Sequence, residues 1–365
     1  MFYGATADEA RGLADDLRHE LRLAGPVSAP ANLTLGEYLA DWIERNRTRV
    51  RPSTWRTREM YVRVYLTPAL GKVPLVRLRP PDVERALALF MAKGRPERVT
   101  RPQRGHPSGS GIAGRTARHI RATLRAALAD AVREGLVIRN VAADAHPPAV
   151  EDREINYLSA PQVRTLLDAT AEHEYGPVYA VLVSTGLRLG EALGLRWADI
   201  DLERGTLTVR HSLALDATGK AYELAAPKTK KSRRTLPLPT TARAALMRQR
   251  GRQDQQQAAA GAAWRNGDGL VFTDAVGRHA DPSRVSVLFQ RARASAGLPE
   301  ARLADLRHSA ATIMLAEGVP LAVISATLGH SGVAITMQHY AAVVPELLTA
   351  AADAMERALG TERAP

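Results

Sequence analysis

The stretch that decides the fold is Ala304-Asp305-Leu306-Arg307-His308, which opens a helical pattern near the end of the chain. A Leu328-Gly329-His330 turn follows it, and Tyr340 lies ten residues after that histidine. An arginine opening a helix, a histidine after a helix-ending glycine and a downstream tyrosine are what phosphodiester cleavage by a tyrosine nucleophile requires. The pattern becomes specific only if the chain supplies partner residues upstream.

Length and charge set the broad class. A chain of 365 residues is long enough for two domains, since a single core usually stops growing before this length. The formal charge of +12 favours a polyanionic partner, and nucleic acid is the commonest one. Between positions 45 and 125 there are 20 Lys and Arg against 4 Asp and Glu. This stretch nets +16 and the remainder nets −4, so the basic surface belongs to the N-terminal half.

The composition also argues for a cytoplasmic protein, associated with the nucleoid when it binds DNA. The chain has no cysteine, so it has neither disulfides nor a thiolate metal site, as is typical of a reducing compartment. No apolar run approaches the roughly 18 residues of a membrane span. Acidic residues at Asp8 and Glu9 do not fit a signal peptide.

Residues 31–140 read as a helical domain. Thr34 followed by Glu37 predicts a capping box, and Pro52 and Pro80 each predict the start of another helix. A fourth helix is predicted over residues 115–134, with Ile120, Leu124, Leu128 and Val132 on its apolar face.

The same helix carries a basic stripe of Arg118, Arg121 and Arg125. Such a stripe can pair with the phosphates of a duplex. The alternative interpretation is a solvated arginine face without a ligand.

Residues 141–156, with Pro147-Pro148 and a charged run, read as a linker, and residues 157–365 as a second domain. Ser159 predicts a helix N-cap, and residues 177–185 predict a buried helix that Gly186 interrupts. Alternation predicts strands over residues 206–213 and 233–238, and residues 249–263 predict a helix end and a loop. The predicted fold is therefore mainly α with a small antiparallel β-sheet, an α+β class.

Attack on a phosphodiester by a hydroxyl has requirements that can be checked one at a time. Arginine forks bind both non-bridging oxygens, and Arg188 and Arg307 suit that task. The leaving oxygen needs a proton donor, for which we select Lys228, with Lys230 as a competing choice. The phenol of Tyr340 is easier to deprotonate beside arginines than an alkyl alcohol. No cofactor or metal is required, and no metal-binding motif is found.

Five motifs carry a family resemblance. They are Thr185-Gly186-Leu187-Arg188-Leu189-Gly190-Glu191-Ala192-Leu193-Gly194-Leu195, Pro227-Lys228-Thr229-Lys230, Asp305-Leu306-Arg307-His308, Leu328-Gly329-His330 and Tyr340. In this order and spacing they resemble the tyrosine recombinase, or phage-type integrase, family. The resemblance covers roughly residues 32–350.

The resemblance implies a role for each residue. Arg188 and Arg307 clamp the scissile phosphate, and Glu191 supports the site from the helix of Arg188. Lys228 is the general acid, His330 a phosphate or proton-transfer partner, and Tyr340 the nucleophile that forms a 3′-phosphotyrosine.

The resemblance also implies an architecture and partners. The basic helical region corresponds to a core-binding domain that closes on double-stranded DNA as a C-shaped clamp with the catalytic domain. The protein is expected to be a monomer in solution and a homo-tetramer on attachment sites, with an accessory DNA-bending or directionality protein possible. Residues 1–30 resemble the remnant of a small arm-binding domain and a linker.

One position departs from the family pattern. Ala304 stands where the family usually has a histidine, and alanine cannot transfer a proton. Three hypotheses follow: an active recombinase that integrates or excises a mobile element, a DNA-binding relative with an impaired site, and, less favoured, a type IB topoisomerase. Arg118, Arg121 and Arg125 would serve DNA binding in each of them.

Overall fold

The computed structural model describes residues 30, 32–94, 111–150, 156–216, 218–219, 221–227, 233–329, 355–356 and 359. The chain divides into two compact units, Met1–Arg153 with Asp216–Gly219, and Glu154–Leu215 with Lys220–Pro365. The described residues are mostly helical with little antiparallel sheet, which confirms the predicted fold class. The predictions for residues 1–29, for Lys228 and Lys230 and for residues 330–354 lie outside the described residues.

Six α-helices are described in the first unit. They are α1 (Leu35–Arg45), α2 (Pro52–Tyr61), α3 (Thr67–Leu70), α4 (Pro80–Lys93), α5 (Gly114–Arg133) and α6 (Val141–Asp144). A π-helical turn, Val62–Leu66, joins α2 to α3.

The predicted start signals of these helices are confirmed. The Glu37 amide donates to Thr34 Oγ1 at 3.3 Å, and the Thr34 amide donates to Glu37 Oε2 at 2.9 Å, which closes the capping box of α1. Pro52 and Pro80 occupy the first turns of α2 and α4. Backbone amides in the first turn have no acceptor within the helix, so the absence of an amide hydrogen in proline costs no hydrogen bond there.

The core of the first unit forms where the apolar faces of these helices meet. Trp42 of α1, Phe90 of α4 and Ile120 and Leu124 of α5 are almost completely buried there. Burying each such side chain contributes roughly 1.5–3 kcal/mol to the free energy of folding. The buried residues of these helices form one hydrophobic core within the first unit.

The described part of the second unit combines seven α-helices with two small sheets. Its helices are α7 (Ala160–Ala169), α8 (Gly176–Thr185), α9 (Leu189–Leu193), α10 (Thr240–Ala260), α11 (Pro282–Ser295), α12 (Leu306–Ala316) and α13 (Leu321–Leu328). Its strands are β1 (Ile200–Asp201), β2 (Thr206–Val209), β3 (Ser212–Leu215), β4 (Tyr222–Ala225) and β5 (Arg234–Pro237).

The sheets are antiparallel. Strand β2 lies between β1 and β5, with Leu207 opposite Leu236 and Val209 opposite Arg234. Strands β3 and β4 form a separate hairpin. The prediction of one strand over residues 206–213 is wrong in its continuity, because the chain leaves the first sheet at Arg210, whose Nε lies 3.0 Å from buried Asp199 Oδ1.

The prediction of a helix end and a loop over residues 249–263 is also wrong. Helix α10 continues to Ala260, and two of its glutamines, Gln249 and Gln253, face the interior. Gln253 accepts a hydrogen bond from Trp197 Nε1 at 2.6 Å and donates to the carbonyl of Leu270 at 2.9 Å. Gln249 donates to the carbonyl of Val271 at 3.0 Å. The polar composition that indicated a loop therefore satisfies buried backbone groups.

Helix α8 lies at the centre of the second core, and nine of its ten residues are buried. Tyr179 contacts Phe289 edge to face, and its hydroxyl donates to the carbonyl of Val285 at 3.1 Å. Within the part of the chain that the structure describes, no helix is long and apolar enough to cross a bilayer.

Candidate active site

Two glycine-terminated helices meet at the centre of the site. Gly186 ends α8 and Gly329 ends α13, each in the left-handed conformation that glycine adopts without steric cost. A Cβ atom at Gly186 would lie 2.4 Å from Leu328 Cδ2, so only glycine allows this close approach. The packing sets the start of α9 beside the end of α13.

Arg188 precedes the first residue of α9 and is held by Glu191 of the next turn. Its amide donates to Glu191 Oε2 at 3.1 Å, and its Nη1 donates to Glu191 Oε1 at 2.8 Å. The Arg188 side chain is 46% exposed whereas that of Glu191 is 4% exposed. The carboxylate therefore anchors one side of a guanidinium that reaches the surface.

Arg234 of β5 is a second partner of Glu191, and sequence reasoning did not select it. Its Nη2 donates to Glu191 Oε2 at 3.1 Å, and its Nε donates to the carbonyl of Thr327 at 2.7 Å. The side chain is only 8% exposed. The signal that could have found it is the alternation of β5, since Arg234 shares a face with buried Leu236.

The electrostatics of Glu191 follow from these contacts. Burial acts to raise the pKa of Glu191, but the charge and hydrogen bond of Arg234, with smaller contributions from Arg188, outweigh burial and lower it below the usual value. The carboxylate is therefore ionised at neutral pH and offsets part of the positive charge of the two arginines.

Arg307 lies in the first turn of α12 and points at two helix ends. Its Nη1 donates to the carbonyl of Gly186 at 2.6 Å, and its Nη2 donates to the carbonyl of Leu328 at 2.7 Å. The last carbonyls of a helix lack intrahelical partners and carry partial negative charge. These carbonyls fix the plane of the guanidinium where α8 and α13 meet.

The structure thus brings together three sequence-predicted residues, Arg188, Glu191 and Arg307, and adds Arg234. Lys228, His330 and Tyr340 lie outside the described residues, so their roles stay predictions. Two guanidinium groups that share a junction of helix ends can bind the oxygens of a phosphate.

Ala304 lies in a 3₁₀ turn, Leu303–Asp305, immediately before α12, and it is exposed. The neighbouring Asp305 carboxylate is buried and accepts a hydrogen bond from the Arg302 amide at 2.8 Å. This capping interaction fixes the turn, so a side chain at position 304 points away from the core.

The three arginines of the predicted DNA-binding stripe on α5 differ in their contacts. Arg121 Nη2 donates to the carbonyls of Ala143 and Ala145 at 2.9 and 2.6 Å. Arg118 Nε donates to the carbonyl of Pro148 at 2.7 Å. Arg125 is exposed, and no described residue accepts a hydrogen bond from its guanidinium. Arg121 therefore supports the end of α6, whereas Arg125 is exposed and its guanidinium donates to no described residue.

Two family models match the chain. The phage integrase family matches residues 156–346, and the N-terminal SAM-like domain of phage integrases matches residues 34–88. A tyrosine recombinase XerC-like protein of Caldanaerobacter subterraneus subsp. tengcongensis is 27% identical over 97% of this chain and 90% of its own length.

Solved structures share the fold. The Tn1549 transposon integrase, in complex with a circular intermediate DNA, aligns with a TM-score of 0.68 at 20% identity, over 84% of this chain and 95% of that one. A lambda integrase tetramer bound to a Holliday junction aligns with a TM-score of 0.59 at 17% identity, over 90% and 89% of the two chains.

Proposed function

The chain belongs to the phage integrase family and is a site-specific tyrosine recombinase acting on DNA, and we propose that it cleaves and rejoins strands through Tyr340. The observation that carries this proposal is that Arg307 donates to the Gly186 carbonyl at the end of α8 and to the Leu328 carbonyl of α13, while Arg188, two residues after Gly186, is held by Glu191. Both guanidinium groups are oriented by acceptors of the protein before any DNA binds. Such preorganised cations stabilise the charge that develops on a phosphate during displacement.

The proposed cleavage step is a direct displacement. The Tyr340 oxygen attacks phosphorus, the bond from phosphorus to the 5′ oxygen breaks, and a 3′-phosphotyrosyl bond forms. Lys228, or Lys230 in its place, gives a proton to the leaving 5′ oxygen, and His330 contacts the phosphate or assists proton transfer. Because the phosphotyrosyl bond conserves the energy of the phosphodiester, rejoining needs no nucleotide cofactor.

The partner is double-stranded DNA that carries attachment sites. The helical region 31–140, together with α6 of the same unit, is proposed as the core-binding domain and residues 157–365 as the catalytic domain. The rest of residues 141–156 would join them, and the two would close on the duplex as a C-shaped clamp. The net charge of +16 between positions 45 and 125 supports this assignment.

Recombination of two sites requires four cleavable strands, so we propose a homo-tetramer on DNA built from monomers. An accessory DNA-bending or directionality protein is compatible with this arrangement. Action on chromosomal or mobile-element DNA implies that the protein works in the cytoplasm, at the nucleoid.

The test is the capture of a covalent complex. A pool of nicked duplexes with a randomised core is incubated with the protein, and complexes that resist denaturing detergent are isolated and sequenced. The nick lets a short fragment diffuse away after cleavage, so the reaction cannot reverse. We expect enrichment of one family of sequences, here named the captured duplex, and a nucleotide attached to the peptide that contains Tyr340.

Tyr340→Phe is the matched control, since it removes only the nucleophilic oxygen and should abolish the adduct while it leaves DNA binding intact. An adduct that persists in this variant would contradict the assignment of the nucleophile. DNA binding without an adduct from the unaltered chain, but with an adduct from Ala304→His, would support the alternative of an impaired site.

A further inference from the structure

Arg234 is a buried cation that the proposed cleavage step does not use. Its side chain is 8% exposed, and a buried charge is costly unless the protein supplies partners. Its partners include the Glu191 carboxylate of α9 and the Thr327 carbonyl in the last turn of α13. These partners lie 43 and 93 residues away in sequence, so Arg234 joins separate parts of the second unit.

Each of these two partners of Arg234 is connected to an arginine of the candidate site. Glu191 uses its other oxygen, Oε1, to accept from Arg188 Nη1 at 2.8 Å. Thr327 is followed by Leu328, whose carbonyl accepts from Arg307 Nη2 at 2.7 Å. The next residues of the chain are Gly329 and His330. One side chain is therefore linked to both phosphate-binding arginines and to the turn that leads into the predicted histidine.

We propose that Arg234 is a positioning residue for strand cleavage, which orients Arg188 through Glu191 and fixes the end of α13 beside Arg307. The inference rests on the proposed recombinase function. It assigns no contact between Arg234 and DNA, because the Arg234 side chain is almost fully covered by protein.

The geometry requires an arginine. Nε and Nη2 of one rigid guanidinium donate to acceptors on two different helices, whereas lysine carries a single compact ammonium group. Stability alone is a weak reason for such a pair, since well-packed apolar residues often replace a buried ion pair without loss of stability. What an apolar side chain cannot supply is the orientation of the two acceptors, the Glu191 carboxylate and the Thr327 carbonyl.

The experiment measures single-turnover adduct formation on the captured duplex at saturating protein, together with DNA affinity and the thermal unfolding midpoint. Arg234→Met keeps an unbranched side chain in place of the aliphatic part of arginine but removes the guanidinium and its donors. We expect its cleavage rate to fall by about 10- to 100-fold, with affinity changed by less than about twofold, because misplaced catalytic groups lower the rate of the chemical step more than binding. Arg204→Met is the matched control, since Arg204 is largely exposed on the β1–β2 turn, and we expect no change in rate.

Arg234→Lys keeps the charge and guards against a variant that fails to fold. We expect it to unfold close to the temperature of the unaltered chain and to cleave at least about threefold more slowly, because one ammonium cannot reach both acceptors. A full cleavage rate in Arg234→Lys would overturn the requirement for the fork and with it the inference.

A double variant tests whether Arg234 acts through Glu191. Glu191→Gln should slow cleavage by itself, and its addition to Arg234→Met should lower the rate by less than about twofold further, because residues that act as a unit are not additive. Multiplied effects of the two changes, or a full rate in a folded Arg234→Met protein, would overturn the inference while the recombinase function stands. Absence of any adduct from the unaltered chain would overturn the proposed function and the inference together.

Discussion

Ala304 is the residue at which the proposed chemistry is weakest. It lies three positions before Arg307, on an exposed turn, and its methyl group can neither donate nor accept a proton. A side chain introduced there meets solvent or DNA and not the protein core, so the position can be changed without disturbing the fold.

Ala304→His is therefore expected to raise the rate of adduct formation on the captured duplex by at least about tenfold, since a placed acid or base commonly contributes about 10²- to 10⁴-fold. Unfolding stability should change by less than about 0.5 kcal/mol because the site is on the surface. Ala304→Asn, which is polar but cannot titrate, is the control. Equal rates for all three proteins would mean that proton transfer at this position does not limit cleavage.

Glu191 provides a prediction about pH. Its pKa in the folded protein is below its usual value of 4.5, so the ionised carboxylate stabilises the folded state. This contribution is complete above the usual value and is lost as the pH falls through the lowered pKa of the folded protein.

The comparison protein is Glu191→Gln, which cannot ionise and should be less stable at neutral pH by about 2 kcal/mol because a charged hydrogen-bond partner of Arg234 is lost. We expect the difference in unfolding free energy between the two proteins to shrink as the pH falls from 6 to 3. Denaturant titrations at several pH values measure it. Parallel curves over that range would contradict the assigned ionisation of Glu191.

At the scale of elements, the site depends on helix ends more than on helix faces. The final carbonyls of α8 and α13 accept from Arg307, and another carbonyl of α13 accepts from Arg234. These carbonyls would otherwise lack partners within their helices, so each arginine both satisfies a helix end and takes its own orientation from it. The left-handed Gly186 makes the two ends meet.

Gly186→Ala should destabilise the second unit by about 2–4 kcal/mol, because alanine is strained at a φ of 66° and its Cβ would collide with Leu328. Adduct formation should also fall, since Arg188 and Arg307 both depend on this junction. The matched control is Gly205→Ala, whose φ is 64° but whose Cβ would meet nothing within 4 Å. This control should lower the free energy of unfolding by only about 1 kcal/mol. Urea denaturation measures both variants, and equal losses of unfolding free energy would contradict the role of the contact between position 186 and Leu328.

Helix starts were predictable where the signal was local. The capping box of Thr34 and Glu37 and the proline at the start of α4 each act within one turn, so neighbouring residues in sequence contain all the information. The extent of α10 was mispredicted because Gln253 is held by Trp197 and Leu270, residues far away in sequence.

At the scale of the whole molecule, charge separates the two halves of the chain. The +16 between positions 45 and 125 is compatible with DNA binding by the first unit, but its arginines are not equivalent. Arg121 is engaged with the carbonyls at the end of α6, whereas the exposed Arg125 has no such acceptor among the described residues.

Arg125→Ala is therefore expected to change DNA binding, whereas Arg121→Ala is expected to change the stability of the fold. The first should weaken duplex binding and reduce the slope of log affinity against log salt by about 0.9, the value for one phosphate contact. The second should lower unfolding stability by about 1–3 kcal/mol through the loss of the hydrogen bonds from its charged guanidinium to the carbonyls of Ala143 and Ala145. Binding titrations at four salt concentrations and denaturant unfolding measure both, and an unchanged slope in Arg125→Ala would show that this arginine only faces solvent.

The sequence by itself determined the helical character of the chain, which follows from periodicity and capping residues that operate over short distances. It also predicted Arg188, Glu191 and Arg307 as candidate site residues, because the motifs that contain them resemble those of the tyrosine recombinase family. Only the tertiary structure decided that Arg234 links Glu191 to the end of α13 and that Arg121 supports α6. The reason is physical: which acceptor satisfies a buried guanidinium depends on the backbone groups that folding leaves without partners, and those lie far away in sequence.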